Sequence, residues 1–339
     1  MDIIEEADSI YKKNFPSETH FERAIFFSWY CSIRDCTFCF MSVQPNAEPK
    51  KMRRSTESLL AEAILCRVLG WESGFLSGGI NAFSPADMKR LLPLLTTAYG
   101  NKFWLNIGPL SPDLLEAYKP FIRGVVGAIE TVNPVVHKRI CPSKPIEPYL
   151  RMFDEAYKIG LANAMTFIVG VGETREDLSQ LLEMIERYHI SKIHIYSLVP
   201  EKGTIYTEKD IPSPEEQAWW IANVRVHFPT LDIQCGIWKD RVQSLPLLLR
   251  AGANSFSKFP ATRLFGSHIA EDIEKQVENA GRTFKGTLTK LPTMDWAREV
   301  NVLAIDESLK ERVLRKLTQY VHKMVNARTD CSLQLAGQR

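Results

Sequence analysis

The 339-residue chain carries 42 Lys and Arg against 40 Asp and Glu, a net charge of +2, so its electrostatics give no argument for nucleic acid or an anionic membrane as partner. Apolar residues at 45% and charged residues at 24% are the balance of a globular protein, long enough for one large barrel or two average domains. No stretch approaches 18 uninterrupted apolar residues and residues 1–15 lack an apolar signal segment, so a cytoplasmic protein without membrane spans is expected.

Residues 1–22 read as a helical prelude. Short apolar runs suited to buried parallel strands then recur at 24–30, 74–76, 103–107, 124–129, 164–169, 192–198, 231–235 and 254–256,. Helix starts lie between them. Ser84-Pro85, Ser111-Pro112 and Ser213-Pro214 each put a capping hydroxyl before a proline at the first helical position, and Glu216 completes a capping box,. Thr174 with Asp177, and Ser55 with Glu57, open two more,. Strands alternating with helices predict an α/β protein of the (β/α)8 TIM-barrel type over residues 24–260. The flanks are an N-terminal helical extension, 1–23, and a C-terminal helical segment, 261–339. An incomplete six-stranded barrel is the alternative, because the last two runs are the weakest. Val313, Leu314, Leu317, Tyr320, Val321 and Met324 recur at helical spacing, which predicts a terminal amphipathic helix docked on the outside.

Seven cysteines is an odd number, and Cys66, Cys141, Cys235 and Cys331 are scattered without paired spacing. That argues against a disulfide framework and for a reducing compartment. The other three, Cys31, Cys36 and Cys39, fall within nine residues after the first predicted strand, at the barrel mouth where active sites of this fold lie. A structural zinc ion wants four protein ligands, whereas an iron-sulfur cube held by three thiolates keeps one iron open. A zinc knuckle with a remote fourth ligand, such as Cys141 or a histidine, is the competing reading.

The segment Cys36-Thr37-Phe38-Cys39 resembles the radical S-adenosylmethionine (radical SAM) superfamily, whose usual motif is Cys-x3-Cys-x-aromatic-Cys. Here the first interval holds four residues rather than three. Further elements resemble that family in order along the chain. Ser77-Gly78-Gly79 resembles the glycine pair that meets the SAM amino group, although the acid that often follows is absent. Glu130 resembles the carboxylate that biotin-synthase-like members place near the SAM ribose or amine. The arginine that follows it in those relatives falls at Tyr149 here, so Arg151 is the candidate, with Lys144 before it. Ile168-Val-Gly170-Val-Gly172-Glu173 resembles the element beside the adenine, and Leu198-Val199-Pro200 with Gly203-Thr204 the adenine and substrate wall. The two glycines would also suit a phosphate loop, but no Gly-Lys-Ser/Thr follows,.

The resemblance implies a [4Fe-4S] cluster on Cys31, Cys36 and Cys39 covered by Phe38. It also implies SAM held by Ser77, Gly78, Gly79, Glu130, Arg151, Ile168, Gly170, Leu198 and Val199. The expected chemistry is reductive cleavage of SAM to a 5′-deoxyadenosyl radical that abstracts hydrogen from a small-molecule substrate, with an electron donor such as flavodoxin or ferredoxin. Asn106, Trp29, Gln234 and Trp238 near strand ends, and His194 with Tyr196 on one face of the sixth strand, are further lining candidates,. A cobalamin signature and a late cysteine cluster are both absent, which disfavours sulfur insertion. The barrel is similar to the branch of biotin synthase, HydE and methylornithine synthase. The run 130–149, with Gly170-Val-Gly-Glu-Thr174, is most similar to the HmdB branch, implicated in making the iron-guanylylpyridinol cofactor of [Fe]-hydrogenase, whose motif also widens the first cysteine interval, to five residues.

Overall fold

The computed structural model describes residues 2–44 and 48–336, with side chains through residue 327. The order is α1 (Ile3–Asn14), β1 (Glu18–Phe26), α2 (Thr56–Leu69), β2 (Glu72–Ser77), α3 (Pro85–Tyr99), β3 (Phe103–Asn106), α4 (Pro112–Tyr118) and β4 (Ile122–Glu130). Then come α5 (Pro134–Ile140), α6 (Glu147–Lys158), β5 (Ala162–Val169), α7 (Leu178–Arg187), β6 (Ile190–Ser197), α8 (Pro214–His227), β7 (Asp232–Gly236), α9 (Leu245–Arg250) and β8 (Ser255–Ser257). The chain ends with α10 (His268–Asn279), β9 (Thr283–Lys285), α11 (Trp296–Asn301) and α12 (Glu307–Ala336).

β1 pairs in parallel with both β2 and β8, and that double pairing closes the eight-stranded barrel. All eight predicted runs are strands. Three predicted starts are capped, Ser84 accepting from the Asp87 amide at 3.1 Å, Ser213 from the Glu216 amide at 3.2 Å and Asp177 from the Thr174 amide at 2.9 Å, while the Glu216 carboxylate pairs with Arg175 instead of closing the predicted box. Ser55 and Ser111 precede their helices without a side-chain cap. Outward-facing Ile193 and Ile195 of β6 join the main core between sheet and helices.

Strand β1 starts six residues earlier than its apolar run and leaves the sheet after Phe26. Its early part carries charge because Glu22 points into the barrel. There the Glu22 carboxylate accepts from Lys192 Nζ at 2.7 Å and from Gln234 and Ser255. Lys192 also reaches Asp232 at 2.6 Å. Burial alone would raise the Glu22 pKa, but Lys192 and His20 beside it hold the carboxyl well below the usual carboxylate range. Gly74 makes room for this network, since a Cβ there would lie 2.8 Å from Glu22 Oε2.

Beyond the barrel, β9 pairs with the start of β1 through Glu18 and Thr283. This ninth strand corrects the purely helical reading of the C-terminal segment; Thr283-Phe-Lys285 is too short and polar to carry a strand signature. The predicted terminal helix is α12, with Val313, Leu317 and Met324 buried. Tyr320 OH lies 2.7 Å from Ser58 Oγ of α2 and accepts from Arg54 at 3.1 Å. No helix among the described residues is long and apolar enough to cross a membrane. Cys331 lies outside the residues whose side chains are described.

Lys192→Met strands a buried carboxylate and should cost about 3–5 kcal/mol in urea unfolding, most of it recovered by adding Glu22→Gln. Because the folded Glu22 pKa is depressed, its share of stability is complete above the unfolded carboxylate value near ~4.3 and fades as pH falls toward the folded value. The double variant should lack that part of the pH dependence.

Candidate active site

Cys31, Cys36 and Cys39 lie half-buried on the loop that leaves β1 at the C-terminal mouth of the barrel. The segment after β2 and the end of α5 pin that loop. The Ser32 amide donates to Ile80 O at 2.9 Å, and the Thr37 amide to Ile140 O at 2.8 Å. Gly78 and Gly79 follow β2 directly beneath it. A Cβ on Gly78 would lie 2.5 Å from the Phe27 ring, and one on Gly79 would lie 2.1 Å from Tyr30 O and 2.5 Å from Cys31 Cα. The glycine pair is therefore the bed on which the first cysteine rests. Ser77 is buried and pairs in register with Asn106, whose carbonyl accepts from the Gly78 amide at 3.3 Å.

Phe38 and Cys36 pack against an apolar cluster of Val136, Ile140, Cys141, Ile168, Val171, Leu198 and Tyr206. Three residues singled out in the sequence, Phe38, Ile168 and Leu198, thus meet at one side of the mouth, and Val199 follows half-buried. Gly170 has φ +102°, and its amide and that of Gly172 donate to the Glu173 carboxylate. Tyr206 OH donates to Val171 O at 2.7 Å and Lys209 Nζ to Gly170 O at 2.7 Å, so this loop is fixed from several sides.

Glu130 ends β4 with φ +67°, and its side chain is buried. Lys144 Nζ donates to Glu130 Oε1 at 2.9 Å and to Ala128 O at 2.8 Å, while Thr166 Oγ1 donates to Oε2 at 2.9 Å. Burial opposes the Lys144 charge, yet Glu130 outweighs it and holds the lysine well above its ordinary pKa. Arg151 does not join them: it is exposed on α6, lining a surface groove with Pro109, Pro112 and Asp154. The cation that the structure brings to Glu130 is Lys144.

Inside the barrel, His194 and Tyr196 share the inward face of β6. Their rings lie parallel within 7° at 6.1 Å, and Phe75 meets His194 edge-on at 5.1 Å. Tyr196 OH donates to Gln234 Oε1 at 2.7 Å, which also accepts from Ser257 at 2.8 Å. Burial, with Lys192 nearby, pushes the His194 pKa down to about 3, so the ring is neutral. Trp238 is half-buried, and Trp29 is 40% exposed. Sequence reasoning missed Lys258, immediately after β8, whose ammonium lies 4.3 Å from the Tyr196 ring centroid. A lone lysine after a three-residue strand carries no motif. Cys141, offered by the sequence as a single thiol or a remote zinc ligand, packs with Cys36 in one apolar cluster, and the contact of the two thiols lowers the Cys36 pKa and raises that of Cys141.

The donor set fits an iron-sulfur cluster. The thiols are soft ligands on one loop, and burial, with the other two sulfurs nearby, raises Cys39 to about 11; a cationic iron centre would reverse that cost. Among the described residues no three Cys, His, Asp or Glu side chains already converge closely enough to hold a metal ion, so ligation requires the thiols to turn toward one another. Gly79→Ala should displace Cys31 and cut iron incorporation on reconstitution by more than half. Circular dichroism of the apo protein should remain that of the folded barrel.

The chain matches the Radical SAM superfamily over residues 27–185. It is 34% identical over 344 residues to the uncharacterized protein MJ0597 of Methanocaldococcus jannaschii, covering 96% of this chain and 95% of that one. The [FeFe] hydrogenase maturase subunit HydE of Thermotoga maritima is 24% identical over 202 residues, 58% of this chain and 57% of that protein. Among solved structures, methylornithine synthase (PylB) has a similar fold, with a TM-score of 0.71 at 17% identity over 83% of this chain and 88% of that one. The cysteine loop at the mouth of a closed parallel barrel and these likenesses agree: the chain belongs to the radical SAM superfamily, whose enzymes use a [4Fe-4S] cluster and SAM.

Proposed function

We propose that this radical SAM enzyme acts in assembly of the iron-guanylylpyridinol cofactor of [Fe]-hydrogenase. The observation that carries the reading is the run 130–149, with the widened Cys31-to-Cys36 interval, which is most similar to the HmdB branch. HydE, named as a hydrogenase maturase subunit, is among the relatives.

In this reading Cys31, Cys36 and Cys39 hold the cluster, and Phe38 keeps water off one side. When bound, the cluster and SAM supply reductive cleavage of the sulfonium and a 5′-deoxyadenosyl radical. The chain orients and shields that chemistry. Ser77, Gly78 and Gly79 offer backbone carbonyls to the SAM amino group, and Asn106 stands beside them. Glu130, oriented by Lys144 and Thr166, would face the ribose or amine. Ile168, Leu198 and Val199 give the adenine an apolar wall, and the Gly170 backbone gives it an edge. Lys144 takes the place first given to Arg151, as the buried cation beside Glu130. A flavodoxin or ferredoxin supplies the electron, and the substrate is a small molecule entering the barrel.

Anaerobic reconstitution should give four irons per chain, a reduced-cluster paramagnetic signal altered by SAM, and 5′-deoxyadenosine under reductant. Cys36→Ala should lose cluster and cleavage while staying folded. Deleting the gene in its host should abolish [Fe]-hydrogenase activity, restored in extracts by the isolated cofactor. A deletion that instead creates a biotin or pyrrolysine requirement moves the enzyme to another part of the same branch.

A further inference from the structure

Inside the barrel Glu22, Lys192, Gln234 and Ser255 satisfy one another. Two other groups in or above the barrel stand unsatisfied. Lys258 lies half-buried after β8, its ammonium over the Tyr196 ring at 4.3 Å and 5.9 Å from the Trp238 ring centroid. Among the described residues it makes no hydrogen bond or ion pair. The aromatic contacts offset part of its desolvation but use none of its three N–H donors in a hydrogen bond. Its backbone is left-handed, φ +74°, a conformation that residues with a Cβ rarely adopt,. Gly236 makes room for it: a Cβ there would lie 2.5 Å from Tyr196 and 3.3 Å from Lys258 Cγ.

His194 is the second group. It is fully buried, and neither ring nitrogen has a partner. Buried polar atoms are almost always hydrogen-bonded, so this neutral ring, one donor and one acceptor, marks where a bound molecule belongs. Burial lowers the Lys258 pKa, opposed by the Glu130 side chain.

We propose that the substrate docks a negatively charged group, a carboxylate or a phosphate, on Lys258 against the Tyr196 ring, and a neutral hydrogen-bonding group on His194. The inference rests on reading this mouth as the radical site and does not depend on which product is made.

The test is lysine footprinting of the reconstituted holoenzyme with SAM present, using an amine-acetylating reagent read by mass spectrometry. Inorganic phosphate, acetate and chloride at matched ionic strength are the probes. Lys258 should acetylate readily in chloride and be protected several-fold by phosphate or acetate; phosphate alone protecting would assign a phosphoester, and acetate alone a carboxylate. Equal labelling under all three probes overturns the proposal, and so does full protection by SAM before any probe is added. Calorimetry with the more protective anion gives an independent reading: affinity should fall about tenfold or more in Lys258→Gln and be largely kept in Lys258→Arg. Loss that arginine does not rescue counts against the charge-based anchor. Iron content and SAM cleavage are measured on the same wild-type preparation. If they fail, the enzyme reading falls whatever Lys258 does; if they succeed without anion protection, only this inference falls.

Discussion

The close approach of Gly79 to Cys31 is the constraint on which the mouth of this barrel depends. A strand-to-helix loop carrying three thiols is long enough to drift, yet it is laid onto the end of β2 at a distance that any side chain on residue 79 would prevent. Two amide-to-carbonyl bonds, from Ser32 to Ile80 and from Thr37 to Ile140, then tie the loop to the ends of β2 and α5. The same contact couples two motifs that are far apart in sequence. The glycine pair is usually discussed for what its carbonyls offer a ligand; here its missing side chains are equally what seat the first cysteine.

A second constraint is the polarity of the interior. A buried Glu–Lys pair contributes little net stability compared with apolar residues of equal volume, but removing one partner is expensive. The Glu22–Lys192 pair therefore acts as a lock on register: it ties β1 to β6 across the barrel. Beside it His194 and Lys258 have no hydrogen-bond partner among the described residues. Groups held for stability and groups left with open valence thus lie side by side in one interior, His194 in register with Gln234 of the saturated network.

Much of this was legible in the sequence for a physical reason. Strands buried on both faces must be apolar runs, so eight such runs separated by capped helices leave few architectures. The parts that escaped are those where a charge is buried or a strand is too short to show a pattern. Glu18 to Arg23 falls in the predicted helical prelude although it is the first part of β1, because nothing in the sequence says that Glu22 will meet Lys192, 170 residues later. β9 is three residues long and borrows its order from β1. At the mouth, the thiols and glycines were legible because their spacing is local. The pairing of Lys144 with Glu130 was not chosen over Arg151, because an offset counted along a helix cannot tell an inward loop lysine from an outward helical arginine. Lys258 had no local signature at all; its importance is a matter of what surrounds it.

The widened first cysteine interval has a physical account in the backbone. An extra residue between two ligands must either push them apart or be absorbed in a tighter turn, and a residue with positive φ is how a chain reverses within so few bonds. Arg34, inside that interval, has φ +53°, and its guanidinium donates to the carbonyl of Gln44 at the far end of the same loop. The added length is thus folded into a left-handed turn whose side chain ties the loop to itself, while the amides of Ser32 and Thr37 on either side keep their bonds to the barrel. On that geometry the insertion leaves the anchoring of the flanking cysteines intact and alters the wall of the pocket between them, where Arg34 and Asp35 add charge that a three-residue interval would not accommodate in the same way.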